Sequence, residues 1–205
     1  MLNTASLIKE INNLATDRVR PIIFITGPSG SGKTSLARDV ADATRGICVS
    51  FDWWIKEDSS TRRRMIVDDY RQKGVLPNPL SWYDWDAFSE QIQTFQQSGT
   101  LHLDNAWDQA SGEKILTVNL KAGNRTPIIV EGVYLFEPSI SHLPDLKVLI
   151  RSDMQKSTLA ALRRQAHRNP SEYLKIKELW YTQFDKPYFE NHAKDADGIF
   201  RGWAA

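Results

Sequence analysis

Residues 21–34 read Pro21-Ile22-Ile23-Phe24-Ile25-Thr26-Gly27-Pro28-Ser29-Gly30-Ser31-Gly32-Lys33-Thr34. The apolar run from Ile22 to Ile25 is short, β-branched and bounded by turn residues, which predicts a strand buried on both faces. Gly27 to Thr34 then fits the phosphate-loop pattern G-x-x-x-x-G-K-[ST] in full. Each residue type has a physical reason. Glycines let backbone N–H groups curl around phosphate oxygens without Cβ clashes. The helix expected from about Thr34 aims the positive end of its dipole at the same anion. Lys33 reaches the β and γ phosphates, and the Thr34 hydroxyl ligates Mg²⁺. Gly27, Pro28, Ser29, Gly30, Ser31, Gly32, Lys33, Thr34 and Ser35 are therefore the candidate nucleotide-binding residues.

Outward from this stretch, Leu7, Ile8, Ile11 and Leu14 have helical spacing, as do Leu36, Ala37, Val40 and Ala41. Gly46 ends the second helix and Ile47–Phe51 reads as a second strand. Helix, strand, glycine loop, helix, strand implies a parallel sheet with helices on its faces. The stretch from about 52 to 125 is less regular. It offers helices over 58–73 and 86–98, a Pro/Gly loop from Gly74 to Pro79, and short strands at Leu101–Leu103 and Ile115–Val118, read as an inserted hairpin. Alternation returns with strands at 128–130 and 146–151, helices over 153–168 and 171–184, and a last strand at Ile199-Phe200. The expectation is a single domain over 1–205. Its fold class is α/β, a three-layer α/β/α sandwich with a mainly parallel sheet, a small hairpin insertion and a helical lid at about 160–172.

Composition bounds the function. The chain has 205 residues and a formal net charge of +1, whereas a dedicated nucleic-acid binder normally carries a basic excess. With Cys48 as the single cysteine and four scattered histidines, neither an internal disulfide nor a zinc cage is expected. Residues 1–20 do not read as a signal peptide, and no apolar run approaches the ~20 residues of a membrane span. A soluble cytoplasmic protein, binding neither nucleic acid nor membrane, is the expectation. Five of the seven tryptophans (Trp53, Trp54, Trp82, Trp85 and Trp107) fall between 53 and 107.

In an open α/β sheet, ligands bind outside the carboxyl ends of the strands. Glu131 ends the strand Ile128-Ile129-Val130 and is a candidate Mg²⁺ acid. Asp52 follows the second strand on the same rim. It is the candidate base that orients an acceptor hydroxyl toward the γ phosphate, and a third candidate metal ligand. Arg163, Arg164, His167 and Arg168 make the end of the 153–168 helix basic. From such a helix, arginine can close over the transferred group and exclude water. Trp53, Tyr83, Trp85 and Trp107 adjoin the candidate acids and are candidate walls of an acceptor subsite, while Phe88 and Phe95 have core spacing.

From Pro21 to Arg201 the chain resembles the uridine kinase and phosphoribulokinase group of phosphate-loop kinases. The loop Gly-Pro-Ser-Gly-Ser-Gly-Lys-Thr is of their type. Asp52-Trp53-Trp54 is similar to their Asp followed by one residue and an aromatic, whose Asp is the catalytic base. Tyr83-Asp84-Trp85-Asp86-Ala87-Phe88 resembles their segment ending in Asp-Ala-Phe, one residue short, which implies that Asp84 holds ribose hydroxyls. Trp107-Asp108 stands where they have Tyr-Asp beside the nucleoside base. Val130-Glu131-Gly132-Val133 is similar to their Val-Glu-Gly-Ile. Leu162-Arg163-Arg164 with Arg168 resembles their lid helix, which implies Arg164 and Arg168 in catalysis and Arg163 at the acceptor. Gln109-Ala110-Ser111-Gly112 replaces their Thr-His-Ser-Arg, whose histidine reads the pyrimidine.

The resemblance implies an ATP- and Mg²⁺-dependent kinase acting on a hydroxyl of a nucleoside-like or sugar-like small molecule, often as a homo-oligomer. The alternative is a phosphate-loop nucleotide-binding protein or NTPase with a regulatory role and no small-molecule acceptor. A GTPase would need a guanine-reading Asn-Lys-x-Asp, which the chain lacks.

Overall fold

The computed structural model describes residues 2–165 and 171–201, with the side chains of Met154, Arg164 and Gln165 outside the description. The elements run α1 (Thr4–Asp17), β1 (Ile22–Thr26), α2 (Lys33–Thr44), β2 (Ile47–Ser50), α3 (Ser59–Lys73), α4 (Trp85–Ser98), β3 (Thr100–Trp107), β4 (Lys114–Lys121) and β5 (Ile128–Gly132). They continue with β6 (Leu146–Arg151), α5 (Met154–Gln165), α6 (Ser171–Trp180), a π-helical turn (Tyr181–Asp185), α7 (Lys186–His192) and β7 (Gly198–Arg201).

Five parallel strands form the main sheet in the order β2-β5-β1-β6-β7. The alternating faces of β1 show why it is apolar throughout. Ile23 and Ile25 point to one side, where they pack with Leu7 and Ile11 of α1 and Leu36, Ala37 and Val40 of α2. Ile22 and Phe24 point to the other, where they pack with Phe88, Ile92 and Phe95 of α4 and with Leu101, Leu103 and Val118 of the hairpin. A strand buried on both faces reads as a continuous hydrophobic run. The three layers are those expected.

Two expectations need correction. The inserted hairpin β3–β4 forms as expected, as an antiparallel sheet of its own, but its strands run beyond Leu101–Leu103 and Ile115–Val118. A register shift between Leu103 and Ala106, with Asn105 at φ 56°, interrupts the period-two pattern of β3 and hides its second half. The last helical region also continues past 184, through Pro187 to His192. Proline lacks an N–H, and its ring clashes with the carbonyl four residues back in a regular α-helix. Here the preceding turn widens, so that the Lys186 N–H bonds the Tyr181 carbonyl five residues back, and the helix passes Pro187 without ending.

Candidate active site

The carboxyl ends of β1, β2 and β5 lie side by side, and each delivers one part of the site. After β1 comes the phosphate loop. Gly30 sits at φ 85°, and a Cβ there would lie 2.3 Å from the Ser157 carbonyl oxygen of α5. Only glycine allows the loop to pass that closely under α5. Gly32 caps α2 at φ 92°, so the first N–H groups of α2 open into the loop. Lys33 is buried and its Nζ donates to the Pro28 carbonyl at 3.0 Å. Among the described residues, the buried Ser31 hydroxyl has no hydrogen-bond partner. A glycine cradle at a helix start, a buried lysine and an unsatisfied hydroxyl together suit a nucleotide phosphate.

Parallel pairing sets Ser50 of β2 opposite Glu131 of β5. The two Glu131 oxygens accept different bonds, Oε1 from Ser50 Oγ and Oε2 from Thr34 Oγ1, each at 3.2 Å. Asp52 follows in a 3₁₀ turn, Phe51–Trp54, anchored by Phe51 and Trp54 in the core. The Tyr83 hydroxyl donates to Asp52 Oδ1 at 3.4 Å. Burial raises the pKa of both Asp52 and Glu131, and the Lys33 charge opposes this at each. Lys33 is thus the common cation of two acids from different strands.

The oxygen set of Thr34, Glu131 and Asp52 fits Mg²⁺, which takes one or two carboxylates and completes its shell with water and phosphate. Among the described residues, no cluster of three His, Cys, Asp or Glu forms a closed metal cage.

Beyond Asp52 opens a cavity of about 960 Å³. Its walls come from α3 (Arg62, Arg63), from Trp82, Tyr83 and Trp107, from the hairpin turn Gln109–Glu113, and from α6 and the π turn (Lys177, Trp180, Tyr181, Asp185). Ser29 of the phosphate loop also lines it. The Tyr181 hydroxyl faces Ser29 without reaching a hydrogen bond of normal geometry.

Beside it, Tyr134 sits just past β5 at φ 66°, rare for a bulky residue, and its hydroxyl donates to Asp185 Oδ1. Asp185 is 3% exposed, and burial lifts its pKa to about 6 against the Tyr134 hydrogen bond and the charges of Lys177 and Lys33. Burial would lower the Lys177 ammonium, but Tyr181, Tyr173 and Asp185 outweigh it and hold the ammonium above its usual range.

Lys33, Thr34, Asp52 and Glu131 therefore converge, and Tyr83 and Trp107 reach the cavity beside them. Four expected acceptor residues do not. Asp84 is exposed and caps α4 by accepting from the Ala87 N–H at 3.1 Å, the duty an Asp before a helix commonly takes. Trp53 packs against Trp54 and the core, and Trp85 packs against Phe51 and donates its indole N–H to the Leu80 carbonyl, so neither lines the cavity. Arg163 is exposed on α5 and is not a cavity wall. The Arg164 side chain and all of Arg168 lie outside the described residues. Conversely, Arg62, Lys177, Tyr181 and Asp185 were not singled out from sequence. Their signal is faint: a charged run on a helix and a polar helix face, both of which usually face solvent.

No family model matches the chain. It is 27% identical over 142 residues to the tRNA dimethylallyltransferase of Rhizobium rhizogenes, covering 67% of this chain and 43% of that one. It is 26% identical over 180 residues to the uridine kinase of Bacillus mycoides, covering 81% and 80%. The chain spans less than half the length of several curated relatives that it matches.

Among solved structures, a possible uridine kinase from Bacillus stearothermophilus aligns at TM-score 0.57 and 19% identity, covering 95% of this chain and 98% of that one. A fructose transport system kinase from Silicibacter aligns at 0.67 and 16%, covering 98% and 100%. The phosphoribulokinase of Rhodobacter spheroides aligns at 0.62 and 13%, covering 89% and 70%. These structures share the fold.

Proposed function

Taking the chain as a phosphate-loop kinase similar to the uridine kinase and phosphoribulokinase group, we propose that it transfers the γ phosphate of ATP to a hydroxyl of a nucleoside-like or sugar-like small molecule. The observation that carries this reading is the position of Asp52. Its carboxyl lies between the phosphate loop, through the Lys33 charge, and the cavity, which it lines beside Tyr83. An acceptor in that cavity presents its hydroxyl to Asp52 and, beyond it, to the γ phosphate, which is the order an in-line displacement requires.

The residues divide the work. The N–H groups of the loop and of the first turn of α2 hold the phosphates, and Lys33 offsets their charge. Thr34 and Glu131, with Asp52 alongside, would hold Mg²⁺, which when bound neutralises charge on the β and γ oxygens. Asp52 orients the acceptor hydroxyl and takes its proton, and the Tyr83 hydrogen bond keeps one carboxylate oxygen fixed while the other faces the acceptor. The aromatic walls exclude water, which would otherwise compete as acceptor. Arg164 and Arg168 are proposed to close over the transferred group.

The test is an ADP-release screen of the purified protein with Mg-ATP against nucleosides, sugars, sugar acids and sugar phosphates. A kinase of this type releases ADP well above the acceptor-free rate with at least one of them. A uniform acceptor-free rate across the panel would mean a nucleotide-binding protein or NTPase without a small-molecule acceptor.

A further inference from the structure

Arg62 projects from α3 into the cavity wall between two indoles, with its guanidinium carbon 5.5 Å from the Trp82 ring centroid and 5.4 Å from that of Trp107. Cation–π contacts to two rings restrain a guanidinium and use none of its N–H donors. Among the described residues, none hydrogen-bonds or ion-pairs with the Arg62 guanidinium. It is only half-buried, yet its charge is felt at Asp52, at Tyr83 and at Lys177, another cation of the same cavity.

The cavity acids do not answer it. Asp52 faces the acceptor hydroxyl, Asp185 is engaged by Tyr134, and Glu113 is exposed on the hairpin turn. Two indole N–H groups of the same wall, those of Trp107 and Trp180, are buried without partners among the described residues. The Trp82 and Trp107 rings are turned to Arg62 rather than to a flat acceptor ring.

We propose that the acceptor carries an oxyanion, a phosphate monoester or a carboxylate, on the same skeleton as the reacting hydroxyl, and that Arg62 binds it by its guanidinium edge. This rests on the kinase reading above and narrows it. A planar fork already in contact with two rings suits two-point binding of an oxyanion, and it loses little freedom when the anion arrives. Arg62 and Lys177 bring two cations to one wall, and an anion there offsets their mutual repulsion. The skeleton is short, because the hydroxyl end must reach Asp52 while the anionic end reaches α3. Neutral nucleosides lack the group that Arg62 is built to take.

The experiment uses matched acceptors with Mg-ATP: glycerol, glycerol 3-phosphate and glycerate; ribose, ribose 5-phosphate and ribonate; uridine and uridine 5′-monophosphate. Expected is a kcat/KM at least about 10-fold higher for an anionic member than for its neutral counterpart, with the phosphate and carboxylate arms telling the two oxyanions apart. Arg62→Met should raise KM for that member about 10–100-fold and erase the preference, as loss of a charged two-point contact does. Arg62→Lys, which keeps the charge but not the fork, should fall between.

A second arm needs no turnover. Methyl phosphate or acetate is titrated into protein saturated with Mg²⁺ and a non-hydrolysable ATP analogue, and tryptophan emission is read. Binding to wild type should be saturable, and at least about 10-fold weaker in Arg62→Met. Equal use of neutral and anionic acceptors, an Arg62→Met loss that is the same for every acceptor, or binding indifferent to Arg62 each overturns the inference while leaving the kinase reading intact. Arg62-dependent binding with no turnover of any acceptor overturns the kinase reading and leaves the anion site standing.

Discussion

Thr34 and Glu131, 97 residues apart in sequence, share a hydrogen bond of 3.2 Å across the carboxyl ends of the sheet. A hydroxyl from the phosphate loop and an acid from β5 are thereby held as one pair of oxygens, the pair proposed to ligate Mg²⁺. Glu131→Gln keeps the shape and the hydrogen-bonding capacity but removes the charge. It should raise the Mg²⁺ concentration for half-maximal turnover about 10–100-fold, measured by ADP release against Mg²⁺ at saturating ATP. A variant with unchanged Mg²⁺ dependence would remove Glu131 from the metal site.

Asp52 is expected to act on the acceptor and not on ATP. Asp52→Asn should lower kcat by about 10²–10⁴-fold while ATP-analogue binding, read by calorimetry, is retained. Its pH signature follows from burial, which raises its pKa. A base with a raised pKa is protonated, and idle, up to a higher pH than an ordinary carboxylate. The acid limb of kcat/KM should therefore lie above the ordinary Asp range, and activity should fall as pH is lowered through it. A flat profile down to the ordinary Asp range would sink the assignment.

Lys33 is proposed to serve the nucleotide whatever the acceptor is. Lys33→Ala should weaken ATP handling to the same degree with every acceptor tested. It also removes a cation that lowers the pKa of Asp52, Glu131 and Asp185 together, so the acid limb of the remaining activity should move to higher pH. An acceptor-selective effect would point to a different role for this lysine.

Asp185 gives a prediction about stability. Its folded pKa is raised to about 6 from the ordinary 3.8 of an aspartate. Between those values the folded chain holds a proton that the unfolded chain has released. Stability from this group is present at low pH and is lost as pH rises through the folded value. Above it, the buried charge costs roughly 3 kcal/mol, taking ~1.4 kcal/mol per pKa unit. Asp185→Asn, whose amide oxygen can still accept from Tyr134, should therefore raise Tm relative to wild type at pH 8, with the difference shrinking toward zero near pH 4. Thermal melts across that range decide it, and a difference independent of pH would exclude the charge as its cause.

The nucleotide half of the site was legible because it is local. Strand, glycine loop and helix are consecutive in residues 21–44, and each element has its own period or turn chemistry. Glu131 and Asp52 were legible at one remove, since the ends of parallel strands share an edge. On the cavity side, Tyr83 and Trp107 were legible, whereas the walls from α3 and α6 were not. Arg62 meets Trp107, and α3 meets α6, only through tertiary packing. No spacing in the chain announces such contacts, and a basic run on a helix ordinarily faces water. Asp84 misled for the opposite reason: an aspartate before a helix has a local use as a cap that needs no ligand.

The wide turn at Tyr181–Asp185 works as a phase adjuster between two helices. One residue beyond the α-helical count rotates everything after it by about 100°, so Lys177 and Tyr181 face the cavity while Phe189 still seats beside Phe136 and Leu149. Deleting one residue here would restore the ordinary period and turn one of those sets away from its partner. The segment can change its letters more freely than its length.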